Sequence, residues 1–210
     1  MATRTLTTHY IDGAFVESHR RQVTEILRPT DKRLIARVML ADEEDTRRAI
    51  AAATRAFATH GHSTTQERTQ ILRRLHAAAA ARVDDLTAAM VEEYGGVVQF
   101  AGLIVQSGVN AFLAAEQALQ EIPWTRRWDN TTVTLEPVGV AGLITAWNAN
   151  ALFMCLKLAS AAAAGCTVVI NNMTDDPQAP WGGFKFSGVG REYGRYGIEA
   201  FLETRAILES

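Results

Sequence analysis

The pattern of hydrophobic and polar positions changes its period along the chain. Residues 10–40 carry short extended segments separated by Asp12-Gly13 and Pro29-Thr30-Asp31, which indicates strands joined by turns. From about residue 42 to residue 120, apolar residues recur at the spacing of helices. Beyond residue 131, short apolar segments predict strands, and one segment with helical spacing lies between them. The pattern therefore predicts strands, then a helical layer, then a small α/β unit.

The first two helices of the layer have recognisable beginnings. Asp42 is a plausible N-cap, because three acidic residues follow it where the helix dipole is positive. Ile50, Ala53 and Phe57 recur at helical spacing and predict the buried stripe of this first helix. The stretch Ser63-Thr-Thr-Gln66 fits a capping box and predicts the start of the second helix.

Two further helices complete the predicted layer. The third starts near Asp84 and ends at Gly95-Gly96, a glycine pair of the kind that terminates helices. The fourth runs from about Val98 to Gln120 and ends before Pro123. These segments predict helices that pack on their neighbours.

The segment after residue 131 predicts a βαβ unit. Thr132–Leu135 is β-prone, and Val138–Ile144 forms a second predicted strand. A helix over about Ala151–Ala164 follows and is stopped by Gly165, and the apolar stretch "CTVVI" then suits a strand in the middle of a parallel sheet. Strand, helix and strand in succession are typical of a βαβ unit.

Composition and charge exclude several classes of function. The chain has 210 residues, of which 48% are hydrophobic and 21% charged, with a formal net charge of −2. This balance gives no basic field for nucleic acid and no polybasic patch for a membrane. The first residues, "MATRTLTTHYIDG", contain no apolar core segment, so we expect no signal peptide, no membrane span and a cytoplasmic location. Two cysteines do not make a disulfide framework.

Two asparagines, Asn148 and Asn150, mark the junction between the predicted strand and its helix. A helix N-terminus presents unpaired N–H groups and favours anions and oxyanions. Asparagine is also among the best N-cap residues. The junction is therefore open to two interpretations, a ligand site or a simple helix cap.

At this junction the chain resembles a known family. The stretch "EPVGVAGLITAWNAN", with Lys157 and "LASAAAAGCTVVI", is similar to the strand-turn-helix-strand of the NAD(P)-dependent aldehyde dehydrogenase superfamily. The stretch "PQAPWGGFKFSGVGRE" resembles that family's C-terminal signature, with Trp181 where phenylalanine is usual. The resemblance implies one truncated domain over residues 1–210. Residues 1–171 resemble the N-terminal part of the cofactor domain, and residues 172–210 resemble the C-terminal segment.

The resemblance also implies a large internal deletion. Family members are more than twice as long, whereas this chain passes from Ile170 to Pro177 in a few residues. The sequence contains no Glu-Leu-Gly-Gly and no Gly-Gln-x-Cys, the family's base and nucleophile motifs, and Asn171 stands where the family has a ribose-binding lysine. We therefore expect no bound cofactor and no aldehyde oxidation, because the family mechanism needs a thiolate, a base and a hydride acceptor. Cys155 and Cys166 lie in apolar surroundings and are expected to be inert.

Four residues are the candidate catalytic groups. In the family the asparagine after tryptophan donates its amide to the oxyanion of the attacked aldehyde, and Asn148 matches that position. Asn150 replaces a usual proline and adds a backbone donor and an amide. Asp175 and Asp176 lie in the shortened loop and could supply a general base if that loop folds over Asn148, although an acidic turn is the alternative.

These observations predict an α/β fold with a helical layer packed on a small, incomplete Rossmann-like parallel sheet and a protruding β-hairpin. The predicted function is cofactor-independent, non-redox chemistry on a small carbonyl-containing molecule, such as isomerisation, cyclisation or addition-elimination. The alternative is a non-catalytic remnant or an interaction partner, and an NAD(P)-dependent oxidoreductase ranks last. We expect a homodimer because removal of a domain uncovers apolar surface. No metal is expected, since His60-Gly-His62 lacks a third ligand.

Overall fold

The computed structural model describes residues 3–172, Ile198 and residues 201–208. Helices and strands alternate in groups along this part of the chain. In chain order they are β1 (Arg4–Leu6), β2 (Thr8–Ile11), β3 (Ala14–Glu17), β4 (Val23–Leu27), β5 (Leu34–Met39), α1 (Glu43–His60), α2 (Thr65–Ala80), α3 (Val83–Tyr94), α4 (Val98–Glu121), β6 (Thr125–Trp128), β7 (Thr131–Pro137), β8 (Val140–Thr145), α5 (Asn150–Ala164), β9 (Thr167–Asn172) and β10 (Leu202–Leu208).

The described strands form four small sheets. Their orders are β1-β5-β4, β10-β7-β6, β2-β3 and β8-β9. Strand β8 pairs in parallel with β9, and α5 connects them, which confirms the predicted βαβ unit. Strand β7 pairs antiparallel with both β6 and β10. The mixed α/β architecture with small, incomplete sheets confirms the predicted fold class.

Local capping explains where the first two helices begin. The carboxylate of Asp42 accepts hydrogen bonds from the backbone N–H groups of Glu44 and Asp45, at 3.0 and 3.1 Å, which confirms the predicted N-cap of α1. The capping box of α2 is one residue later than predicted. Its N-cap is Thr64 and the partner is Glu67: the Glu67 N–H donates to the Thr64 hydroxyl at 3.2 Å, and the Glu67 carboxylate accepts from the Thr64 N–H at 2.7 Å.

The buried stripe predicted for α1 is partly wrong. Ala53 is buried and Phe57 is half-buried, but Ile50 is 46% exposed, and the buried positions of α1 are Asp45, Ala52 and Ala53. The reason is the close approach of α1 to the β8-β9 sheet. The hydroxyl of Thr167 donates to the backbone oxygen of Ala53 at 2.9 Å, so the face of α1 that carries Ala53, and not Ile50, lies against this sheet.

Helices α4 and α5 form the centre of the core. Gly108 of α4 lies directly against α5, since a Cβ at this position would be 3.0 Å from the Ala151 oxygen. Helix α4 is also long and apolar enough to cross a membrane by length and composition alone. It packs between α2, α3 and α5 through residues such as Val105, Phe112 and Leu119, all at most 2% exposed, so we interpret it as a core helix.

One face of the β8-β9 sheet is covered only in part. Ala141, Leu143 and Thr145 point towards α5 and are buried. On the opposite face, Gly142 and Ile144 are exposed, and a Cβ added to Gly142 would meet no atom within 4 Å. Parallel sheets are normally covered on both faces, and the described residues cover this face only in part.

Candidate functional site

The candidate site lies in the turn that joins β8 to α5. Strand β8 ends at Thr145, which is buried, and α5 begins at Asn150. Between them the chain brings Trp147 to the surface and leaves Asn148 half-buried, while Ala149 is buried against α5. The apolar residues on either side of the turn thus hold a short polar segment at the end of a buried helix.

The side-chain amide of Asn148 is available for hydrogen bonding. It makes no hydrogen bond to any residue in the described part of the chain. A half-buried amide with free donors can bind a ligand oxygen, because it has already lost part of its hydration. The structure is therefore compatible with a ligand-binding role for Asn148, which stays a prediction.

Asn150 is not the N-cap. It is the first helical residue of α5, and the N-cap position is taken by Ala149, with φ −148° and ψ 46°. The Asn150 Oδ1 atom accepts a hydrogen bond from the backbone N–H of Ala151 at 2.7 Å. Asn150 therefore satisfies one of the free donors of the helix end from within the first turn, and its catalytic role stays a prediction.

The N-terminus of α5 is electrostatically positive. No side chain at its N-cap position accepts a hydrogen bond, and its own first turn contains no acidic residue. A helix end of this kind carries roughly half a positive charge from the aligned peptide dipoles. Most of α5 is buried, so solvent screens this charge poorly. The position next to Asn148 thus favours a carbonyl oxygen or an oxyanion.

An aromatic pair borders the site. The ring centroids of Tyr94 and Trp147 lie 5.4 Å apart with an interplanar angle of 55°. Tyr94 ends α3 and also packs against the cluster that contains Ala151, in the first turn of α5. This pair could not be predicted from the sequence, because residues far apart in the chain come together only through the packing of α3 on α4 and α5.

The remaining predicted site residues are either unsuited or not described. Asp175 and Asp176 lie outside the described residues, so no base is placed at the site. Cys155 and Cys166 are both buried. Burial raises the pKa of the Cys155 thiol to about 11 and also raises the pKa of Cys166. Neither sulfur is therefore an accessible thiolate at neutral pH.

Two cavities among the described residues are not lined by Asn148. One of about 650 Å³ lies beside α3, where Arg4, Arg28 and Arg33 all approach the Glu92 carboxylate within 3.5 Å. The other, of about 180 Å³, lies between α4 and α5. The ion pairs that line the larger cavity join strands to helix α3. Within the described ranges, no three His, Cys, Asp or Glu side chains form a group that could hold a metal ion.

Comparison with known proteins relates this fold to one enzyme family. The profile of the aldehyde dehydrogenase family matches residues 15–177 and 168–207. A putative aldehyde dehydrogenase of Staphylococcus aureus strain MSSA476 is 32% identical over 177 residues, which cover 84% of this chain and 37% of the relative. A putative aldehyde dehydrogenase of Staphylococcus epidermidis is 31% identical over the same shares of both chains.

Solved structures agree with the sequence comparison. An aldehyde dehydrogenase from Bartonella henselae superposes with a TM-score of 0.77 at 23% identity and covers 81% of this chain and 37% of its own. Aldehyde dehydrogenase C from Pseudomonas syringae, a C291A mutant in complex with NAD+ and octanal, superposes with a TM-score of 0.75 at 30% identity, over 78% of this chain and 34% of its own. The chain thus spans little more than a third of the length of these relatives.

Proposed function

The chain belongs to the aldehyde dehydrogenase family, and from this premise we propose that it binds a small carbonyl-bearing molecule at the Asn148 end of α5 and converts it without a nicotinamide cofactor. The reaction is non-redox: an isomerisation, a cyclisation or an addition-elimination. The observation that carries the proposal is the amide of Asn148, which makes no hydrogen bond to the described residues, beside a positive helix end whose N-cap residue, Ala149, supplies no side-chain acceptor.

The chemistry follows from charge that develops on the carbonyl oxygen. In the proposed complex the Asn148 amide donates a hydrogen bond to that oxygen. When a proton leaves the neighbouring carbon, negative charge moves to the oxygen, where the amide and the helix dipole stabilise the resulting enolate. A single donor of this kind contributes typically about 3 kcal/mol to the transition state.

The proton needs an acceptor, and we propose Asp175 or Asp176 for this role. A carboxylate removes the proton from the carbon next to the carbonyl and returns it at a second position of the substrate. This cycle leaves the oxidation state of the substrate unchanged. It therefore requires no hydride acceptor.

Three features support chemistry other than aldehyde oxidation. The sequence contains neither Glu-Leu-Gly-Gly nor Gly-Gln-x-Cys. Its two cysteines are buried, and their pKa values are raised. The described sheet that contains β8 has two strands, whereas a dinucleotide binds in the crevice of a larger doubly wound sheet. NAD+ is bound in the Pseudomonas syringae relative, but we propose no cofactor for this chain.

A second candidate function is a non-catalytic, self-associating protein. Ile144 is 58% exposed on the open face of the β8-β9 sheet, and Ile170, which pairs with Leu143, is 42% exposed on the other face. Exposed apolar surface of this kind favours association, and we propose that the chain forms a homodimer under either function. Light scattering after size-exclusion chromatography tests this point, with a stable monomer at micromolar concentration as the contradicting result.

An extract assay tests the proposed enzyme function. Small molecules from cells that lack the gene are treated with an NAD glycohydrolase and incubated with the native protein, with Asn148→Ala or with Gln120→Ala. The last variant removes an exposed amide that bonds to Thr69, remote from the site. We expect native protein and Gln120→Ala to convert the same compound, and Asn148→Ala to convert it about 100-fold more slowly. Equal conversion by all three proteins would contradict the proposal.

A further inference from the structure

Tyr94 of α3 lies beside Trp147 in the turn that precedes α5, and Phe100 of α4 lies near Tyr94. Tyr94 and Trp147 form the pair described above, with ring centroids 5.4 Å apart. Phe100 lies in the first turn of α4. A Cβ added to Gly96 would lie 3.0 Å from Cδ1 of Tyr94 and 3.9 Å from Cδ1 of Phe100, so Gly96 lies between these two rings. We call Tyr94, Phe100 and Trp147 the aromatic surface.

The aromatic surface is accessible. Trp147 is 42% exposed and Phe100 is 47% exposed. Tyr94 is less exposed, because it packs on the cluster around Met90, Ala101 and Val105. One ring therefore rests on the core and the other two extend to solvent, which makes a supported surface against which a ligand ring can stack.

The aromatic surface and the candidate polar group are neighbours. Trp147 immediately precedes Asn148, and Tyr94 packs on the cluster that contains Ala151, in the first turn of α5. Ile104 of α4 contacts both this cluster and the one formed by Ala149, Leu152 and Phe153. The ends of α3 and α4 thus flank the helix end at which the Asn148 amide lies.

We infer that the aromatic surface selects planar, conjugated carbonyl compounds, whose ring stacks on Trp147 and whose carbonyl oxygen accepts a hydrogen bond from Asn148. This inference rests on the proposed function and specifies its substrate class. An aromatic ring also attracts cations, but the positive end of α5 disfavours a cation at this position. A flexible aliphatic chain would contact a ring face less completely and lose more rotational freedom on binding.

Two ketones of matching skeleton test the inference. The probes are 2-acetylnaphthalene, which is planar, and 2-acetyldecahydronaphthalene, which has the same carbon skeleton without aromatic rings. Dissociation constants are measured by ligand-observed NMR with four proteins: native, Trp147→Leu, Trp128→Leu and Asn148→Ala. Trp128 is the matched control because it is a 57% exposed tryptophan on β6. Trp147→Phe keeps a ring and serves as the conservative variant if Trp147→Leu folds poorly.

We expect native protein to bind the planar ketone about tenfold more tightly than the saturated one, as stacking on an aromatic side chain typically provides. Trp147→Leu should lose this preference, whereas Trp147→Phe and Trp128→Leu should keep most of it. Equal affinities of native protein for the two probes, an unchanged preference in Trp147→Leu, or binding of neither probe would overturn the inference.

The Asn148→Ala variant separates this inference from the proposed function. Loss of the amide should weaken the binding of both ketones by a similar factor, because both carry the carbonyl group. If Asn148→Ala binds both probes more weakly but native protein does not prefer the planar ketone, the proposed function stands and the aromatic inference fails. If Asn148→Ala changes neither affinity, the proposed function fails, even where Trp147→Leu still removes the planar preference.

Discussion

Arg68 donates a hydrogen bond from Nη1 to the backbone oxygen of Ala164 at 2.9 Å, and this contact fixes the C-terminal end of α5. The guanidinium is almost fully buried and lies 4.9 Å from the centroid of the Trp124 ring. A second donor, Nε, bonds to the Ser63 hydroxyl at 3.1 Å. The first turn of α2 thus anchors one end of the helix whose other end carries Asn148.

Replacement of Gly165 should disrupt this anchor. Gly165 has φ +90°, and a Cβ would lie 2.6 Å from Cζ of Arg68. We expect Gly165→Ala to lower the free energy of unfolding by about 2–4 kcal/mol, because it combines backbone strain with a clash against a buried side chain. Guanidinium denaturation measures this change. Gly142→Ala is the control, since its Cβ would meet no atom within 4 Å, and it should stay within about 0.5 kcal/mol of the native protein. Equal losses in both variants would contradict the account.

The hydrogen bond from Ala151 to Asn150 gives a second prediction. Asn150→Ala removes the acceptor of the Ala151 N–H and should lower the free energy of unfolding by about 1 kcal/mol. Asn150→Asp keeps an acceptor at this atom and adds a negative charge at the positive helix end, so it should be as stable as the native protein or more so at pH 7. Thermal unfolding of the three proteins at equal concentration compares them. An aspartate variant less stable than the alanine variant would refute this role for Asn150.

The pair His19 and Asp42 predicts a pH dependence of stability. Nδ1 of His19 lies 2.7 Å from Oδ2 of Asp42. This hydrogen bond raises the pKa of His19 above its ordinary value of 6.5 and lowers the pKa of Asp42 below 3.8. The contribution of His19 to the stability of the folded protein is complete below pH 6.5 and is lost as the pH rises through the raised pKa of His19. The contribution of Asp42 is complete above pH 3.8 and is lost as the pH falls through its lowered pKa.

The native protein should therefore exceed His19→Gln in stability most clearly between pH 3.8 and 6.5. Urea midpoints of both proteins across pH 3 to 9 measure the difference. His62→Gln is a suitable control, because it changes a histidine of the turn after α1 and leaves the Asp42 contact intact. If the difference in urea midpoint between native protein and His19→Gln does not vary with pH, the ion pair does not contribute to stability.

The two cysteines should be unreactive in the folded protein. Burial raises the pKa of Cys155 to about 11, and the Cys166 sulfur lies 3.6 Å from the backbone oxygen of Phe201. At pH 8 a disulfide reagent such as Ellman's reagent should therefore label neither thiol on the time scale on which it labels free cysteine. In guanidinium both thiols should react at once. Rapid labelling of one thiol without denaturant would identify an accessible nucleophile and reopen the question of covalent chemistry.

The sequence predicts elements whose signal is local. The N-cap Asp42 and the C-terminal Gly95 of α3 depend on neighbouring residues, and the structure confirms both. The exposure of Ile50 could not be predicted, because it depends on how closely α1 approaches β9. Strand β6 could not be predicted for a different reason. All four of its residues are exposed, so it lacks the apolar alternation that marks a half-buried strand.

The candidate site shows the same division. The position of Asn148 after a strand and before a helix follows from the sequence, because the change from period two to helical spacing is local. Two features of the site could not be predicted from the sequence. The one-residue shift of the N-cap to Ala149 depends on the φ and ψ angles of the turn. The contact between Tyr94 and Trp147 depends on helix packing between distant segments.

A metabolite comparison tests most directly the claim that Asn148 acts on a carbonyl compound without a nicotinamide cofactor. A strain that lacks the gene is complemented with the native protein, with Asn148→Ala or with Gln120→Ala, and each variant is first shown to fold and accumulate as the native protein does. We predict that native protein and Gln120→Ala restore the same compound, an isomer, cyclised form or elimination product of its precursor, whereas Asn148→Ala leaves the precursor in place. Equal restoration by all three proteins, or a product that differs from its precursor by two electrons, would contradict the account.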